Sequence, residues 1–317
     1  MRGLKIKVTV IGDGSAVVLP VGEAVIRWKR MAAAGVMELF TPDQEAALRC
    51  GLEVKMAADG EEIFCGYIFS VESAKEGRRL TVCDSLRYLL CRDTKVYAGK
   101  TVGEIVREIC GERGLSLAAC EDGGIAIPSL IADRETLLDI VSRAIDEQVR
   151  LGGEKLILID DAGSLRLLRE AGLQTGLTLS GKDMLSRYEA ESGINLDTYN
   201  RVQLVRKNRK SGLREIFMKE DAEAVRRWGV LQYTENVLQS ATNGEIEKRL
   251  EALLKEKCRS VEKLSVEAVG DIRCRAGFLV RLGEEMGTLA GEYRITEAVH
   301  RMLGGGYTMQ LKLERVV

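Results

Sequence analysis

Residues 52–69, LEVKMAADGEEIFCGYIF, decide the fold class. Leu52, Val54 and Met56 alternate before Asp59-Gly60, and Ile63, Cys65, Tyr67 and Phe69 alternate after it. A period of two places apolar side chains on one face of a strand. Asp-Gly between two such runs signals a hairpin, because a type I′ turn needs positive φ at both central residues, which glycine adopts freely. Outward from this hairpin, Lys5 to Val10 alternates in the same way, and Lys75-Glu76-Gly77 turns the chain into Leu80 and Val82. About six short strands in residues 1–90 predict a small antiparallel barrel or sandwich.

The pattern then becomes helical. Thr101 and Glu104 have the spacing of a capping box, Val102, Ile105, Val106, Ile109 and Cys110 share a face, and Gly114 supplies a stop. A second helix begins near residues 133–136, runs through Leu137, Leu138, Ile140, Val141, Ala144 and Ile145, and ends at Gly152-Gly153. Residues 155–160 and 164–169 flank Asp161-Ala162-Gly163 as a hairpin. Residues 91–175 thus read as a small α+β module. From Asn200 strands return at 202–205 and 231–237, and later at 264–266, 278–282, 293–299 and 307–313. One helix, 243–258, interrupts them, with Thr242 and Glu245 as its capping box and Ile246, Leu250, Leu253, Leu254 and Cys258 as its apolar face. The expectation is a mainly β, α+β chain: a first β-barrel over 1–90, an α+β module over 91–175, and over 176–317 a second β-barrel with an inserted helix.

With 47 Lys+Arg against 48 Asp+Glu, the chain has no overall basic field to hold nucleic acid. Its strongest basic cluster, Arg206, Lys207, Arg209 and Lys210, reads as a solvated hairpin tip. The eight cysteines form no C-x-x-C pair and have no close histidine, so neither a local zinc site nor a redox motif is expected. Thiols of this kind suit a reducing cytoplasm. The start of the chain lacks an apolar signal-like region, and no stretch reaches the ~18 apolar residues of a membrane span.

Candidate chemistry is sparse. Gly176, Gly181 and Lys182 have phosphate-loop spacing, but Asp183 stands where a magnesium-binding hydroxyl belongs, so the segment reads as a glycine turn between modules. His300, the single histidine, lies in a strand pattern with no nucleophile motif beside it and reads as structural. The neighbouring acids Asp160/Asp161 and Glu284/Glu285 read as turn and surface residues. No catalytic, cofactor-binding or metal-binding residues are expected.

The order of motifs resembles the XkdQ/YqbQ-type tail proteins of PBSX-like phages and prophages, baseplate hubs related to those of Mu-like contractile tails. The first match contains Gly51, Asp59, Gly60, Phe64 and Gly66 and continues through Leu80 to Asp84 and Tyr88. The second runs from Thr101 to Val106, from Thr136 to Val141, and over Leu156 to Asp160. The third contains Tyr199, Asn200, Val202, Trp228, Gly229, Gly270, Asp271, Gly277, Gly291, Tyr293 and His300, and ends at Tyr307 to Leu311. The matches are collinear over nearly the whole chain. The alanine-rich segment 12–35 departs from the pattern, and Trp228 stands where the family more often has tyrosine.

The resemblance implies a structural protein and not an enzyme. It implies a homotrimer in which each chain contributes two barrels, giving a pseudo-six-fold ring between a hexameric tail tube and a central spike. Such a ring would be assembled in the host cytoplasm, reside in the particle's baseplate, let DNA pass without gripping it, and insert in no membrane. The competing expectation is a tail-associated protein that binds or degrades peptidoglycan, against which stands a middle module with Tyr97 as its one aromatic residue.

Overall fold

The computed structural model describes residues 4–12, 14–31, 33–181, 185–195, 198–207, 213–237 and 239–316. It divides into two compact units, one of residues 1–189 with 265–317 and one of residues 190–264.

The first unit opens with seven strands: β1 (Ile6–Gly12), β2 (Ser15–Leu19), β3 (Glu23–Lys29), β4 (Val36–Thr41), β5 (Glu53–Ala58), β6 (Glu61–Ala74) and β7 (Gly77–Cys83). The expected hairpin is there: Ala58 pairs with Glu61, and Asp59 and Gly60 have φ of 50° and 94°. One detail of its phase differs from the expectation. The register slips between Met56 and Ala57, so Phe64 and Gly66 face Met56 and Val54 across the ladder. Phe64, Gly66 and Ile68 therefore take the core phase, while Cys65 points the other way, against Gly163. A bulge inserts one residue and reverses the facing of everything beyond it.

A middle layer follows, with β8 (Arg92–Tyr97), α1 (Val102–Arg113), β9 (Leu117–Cys120), β10 (Leu130–Thr136), α2 (Leu137–Arg150), β11 (Leu156–Asp161) and β12 (Ser164–Arg169). The helix starts are chemical. Thr101 accepts from the Glu104 N–H while Glu104 returns a bond to the Thr101 backbone, and Gly114 closes α1 at φ 63°. Thr136 caps α2 through the Asp139 N–H. The two helices share one core with Leu89, Tyr97, Ile127, Leu158 and Leu165. Each large aliphatic side chain buried there contributes roughly 1.5–3 kcal/mol of transfer free energy.

The chain continues through β13 (Gln174–Leu179) and β14 (Leu185–Gly193), whose last four residues already belong to the second unit, and returns through β18 (Val261–Val269), whose first four residues still do, to β19 (Leu279–Leu282), β20 (Gly291–Leu303) and β21 (Gly306–Arg315). These strands and the first seven belong to one sheet, ordered β14-β18-β21-β20-β3-β4-β7-β6-β5-β1-β2, with β13 and β19 branching from β20. The two strand sets expected as separate barrels are thus joined. The seam is an antiparallel ladder in which Ile26 faces His300 and Trp28 faces Ala298. Gly176 lies inside β13 and not in a turn between modules, and Lys182 and Asp183 lie outside the described residues.

The second unit contains β15 (Arg201–Lys207), β16 (Arg214–Glu220), α3 (Ala222–Trp228), β17 (Gln232–Val237) and α4 (Asn243–Lys257). The helix expected as an insert in a barrel comes with a three-stranded sheet of its own, β16-β15-β17. Val202 and Leu204 meet Ile246, Leu250 and Leu253 in its core. Arg206, expected as solvated, pairs with Glu215 at 2.6 Å and lies over the Phe217 ring, while Arg209 and Lys210 fall outside the described residues.

Candidate functional site

Among the described residues of the first unit, a group of buried polar side chains, Asp84, Ser85, Asp160 and His300, gathers where β3, β11, β20 and the loop before β19 meet. His300 is wholly buried, with Nε2 2.8 Å from the Cys274 carbonyl and Nδ1 2.7 Å from the Tyr307 hydroxyl. A carbonyl only accepts, so Nε2 carries the proton and Tyr307 donates to Nδ1. Burial pushes the imidazole down to about 4, so it is neutral at pH 7. The Trp28 ring meets it edge-on at 5.4 Å, and the Arg275 guanidinium covers Trp28 at 5.1 Å. With both nitrogens engaged and no exposure, His300 is not placed to take a proton from a substrate.

Arg275 reaches on to the middle layer, bonding the Asp160 carbonyl and pairing with Asp161 at 3.1 Å. The Asp160 carboxylate, buried and not on the surface as the sequence suggested, accepts the Ser85 N–H at 3.1 Å and the Gly163 N–H at 2.7 Å. Asp84 accepts from Gly35 at 2.7 Å and from Leu86 at 3.1 Å, the second bond capping a short 3-10 turn. Burial, with the Asp160 charge nearby, raises its carboxyl well above the usual range. Beside this knot the buried Glu170 pairs with Arg30 and, at 3.5 Å, with Arg294.

The resemblance positions fall into three groups. Phe64, Gly66, Asp84, Gly270, Asp271, Gly277 and His300 lie in or beside the knot. Gly270 packs face-on to Tyr307, where a Cβ would stand 2.3 Å from the ring, and Gly277, at φ 95°, donates to the Ile295 carbonyl. Asp271 holds Arg273 at 2.6 Å. In the second unit, the fully buried Asn200 binds the Gly229 carbonyl at 2.6 Å and accepts the Leu231 N–H at 2.8 Å, with Val202 in the core beside it. Away from both places lie Gly51, the Asp59-Gly60 turn, Gly291, the buried Tyr293 that donates to the Leu289 carbonyl at 3.0 Å, and Tyr88. Tyr88 is part of an exposed aromatic group with Tyr67 at 5.6 Å and Phe69 at 5.8 Å, with Arg87 over Phe69.

Sequence reasoning singled out neither Trp28, Arg275, Arg30, Glu170 nor Arg294. No local pattern marks them, since Arg30 and Glu170 are 140 residues apart.

The knot is built to hold segments together. Its cavity, under Trp28, Asp84, Asp160 and Arg275, measures about 40 Å³, room for water but far below the ~300–1,000 Å³ of small-molecule pockets. A larger depression of about 1170 Å³ lies open along β1 and β5, lined by Lys5, Lys7, Thr9, Lys55 and Glu62 without an aromatic wall. Among the described residues no group of three or more His, Cys, Asp or Glu could hold a metal, and no helix is long and apolar enough to cross a membrane.

Comparison with known proteins agrees with this architecture. The family model described as YQBQ-like matches residues 26–314. The phage-like element PBSX protein XkdQ of Bacillus subtilis is 25% identical over 261 residues, covering 80% of this chain and 78% of that protein. Among solved structures, the 43 kDa tail protein of prophage MuSo2 from Shewanella oneidensis aligns with a TM-score of 0.72 at 14% identity, over 98% of both chains. The E. coli c3393 protein, a type VI secretion component described as similar to T4 tail proteins gp27 and gp5, aligns at 0.58 and 13% identity, over 99% of this chain and 77% of that one. The fold is that of phage tail proteins.

Proposed function

The chain belongs to the YQBQ-like family, and from that premise we propose that it is the structural baseplate hub of a phage or phage-like contractile tail. Three copies form a ring that joins the hexameric tail tube to the central spike. The observation that carries this reading is the β3–β20 ladder. It makes one sheet of two strand sets from a single chain, so three chains present six sets to a six-fold tube. The near-neutral net charge of -1 suits a lumen that lets DNA through without gripping it. The polar knot serves this role by fixing the middle layer to the sheet, and the buried motif residues are structural positions. The hub is assembled in the host cytoplasm and resides in the baseplate of the particle.

One observation favours a second reading, binding of peptidoglycan: Tyr67, Phe69 and Tyr88 form an aromatic surface, with Phe69 and Tyr88 each more than a third exposed. Gold-labelled antibody against the chain, applied to tail particles from its host, separates the two. The hub reading expects label at one end of each tube and no co-sedimentation of purified protein with peptidoglycan. Label absent from tube ends, together with strong co-sedimentation, would overturn it.

A further inference from the structure

The long sheet ends in two strands unlike its others, β2 and β14. Among the described residues β2 is hydrogen-bonded only to β1, and β14 only to β18. Each leaves a row of backbone N–H and C=O groups unpaired, which is a template for another strand. These two strands also bury the least: β2 buries Leu19 alone, and none of the nine residues of β14 is buried. Val17 and Val18 on β2 and Tyr188 on β14 are each more than 40% exposed.

Natural edge strands are normally blunted by charged side chains, lysine above all, by proline or by a bulge. The third end of the sheet, β13, follows that rule: its register slips between Gln174 and Thr178, Gly176 has φ 65°, and Thr175 and Leu179 are buried. β2, with the sequence SAVVL, has no charge, proline or register slip against β1. β14 has neither lysine nor proline; of its three charged residues Arg187 and Glu189 pair with each other, and Glu191 is the third.

We infer that the occupant of these edges is a second copy of this chain, β2 of one copy pairing with β14 of the next. Both open edges belong to the same chain, so the contact is head-to-tail, and repetition of a head-to-tail contact closes a ring when its rotation permits. The inference rests on the trimeric ring proposed above and names its joint.

Proline on the edges tests it. Successive N–H groups of a strand point alternately to its partner and away. Of Val17→Pro and Val18→Pro, and likewise of Arg187→Pro and Tyr188→Pro, one therefore removes only an outward donor; circular dichroism identifies the folded member of each pair. Light scattering of the full chain should give three times 34.9 kDa for the wild type and 34.9 kDa for each folded variant alone. Mixing the β2-blocked and β14-blocked variants should restore one joint and give twice that mass. A trimer that survives both blocks would overturn the edge assignment and leave the ring standing. Blocked variants that stay monomeric on mixing would also overturn it, and a wild type monomeric up to its solubility limit would overturn joint and ring together.

Discussion

His300 makes stability depend on pH in a way that identifies it. In the unfolded chain the imidazole takes a proton near its ordinary 6.5; in the knot it does so only near 4. The unfolded state therefore binds more protons between those values, so the contribution is fully present above pH 6.5 and is lost as the pH falls toward 4. Its size is on the order of 3 kcal/mol. Asp84 acts oppositely, because burial raises its carboxyl: its contribution is present below the ordinary carboxyl value of 3.8 and is lost as the pH rises. Comparison of wild type with His300→Gln isolates the histidine. Urea unfolding of the two proteins should show stabilities that diverge with a steeper acid loss for wild type between pH 6.5 and 4; parallel curves would contradict the buried neutral imidazole. The sequence pointed to a structural histidine through its place in a strand pattern and the lack of a nucleophile motif beside it. Its partners Cys274, Tyr307 and Trp28 come from three separate segments, and nothing local to His300 marks them.

At the level of the element, two glycines of the decisive hairpin fail for different reasons. Gly66 is held by space, since a Cβ there would stand 2.3 Å from the Cys83 carbonyl oxygen, where β6 lies against β7. Gly60 has open space around it and is held by φ of 94°. Asparagine tolerates positive φ, but no side chain fits inside a backbone contact. Gly60→Asn should cost about 1 kcal/mol or less. Gly66→Ala should cost roughly 1–3 kcal/mol or more, as overpacking does. Chemical denaturation reads both, and equal losses would contradict the distinction. The hairpins and the capped helices were legible because turn and cap chemistry is local. β16 and α3 were not: β16 exposes Ile216 and Met218 on its outer face, which hides the inward phase, and α3 spans only seven residues. The bulge that turns Phe64 toward Trp28 and Cys65 toward Gly163 leaves no sign in the alternation, which reads as apolar in either phase.

For the whole molecule, the decisive contact is the pairing of β3 with β20, between opposite ends of the chain. Both strands are legible as strands. Their pairing is not, since register between distant segments is set by tertiary packing and not by neighbours in sequence. That is why two barrels were expected where one sheet runs through both strand sets, and why residues 190–264, with their own core, were folded into a second barrel. The resemblance supplied what periodicity could not, namely the family and the collinear order of motifs. The central claim is that three copies of this chain make a ring with six similar strand sets around a channel. Class averages of the purified wild-type protein by electron microscopy test it most directly. The account predicts end-on views with three-fold symmetry, an open centre and six similar inner lobes; solid particles of single-chain size across the accessible concentration range would contradict it.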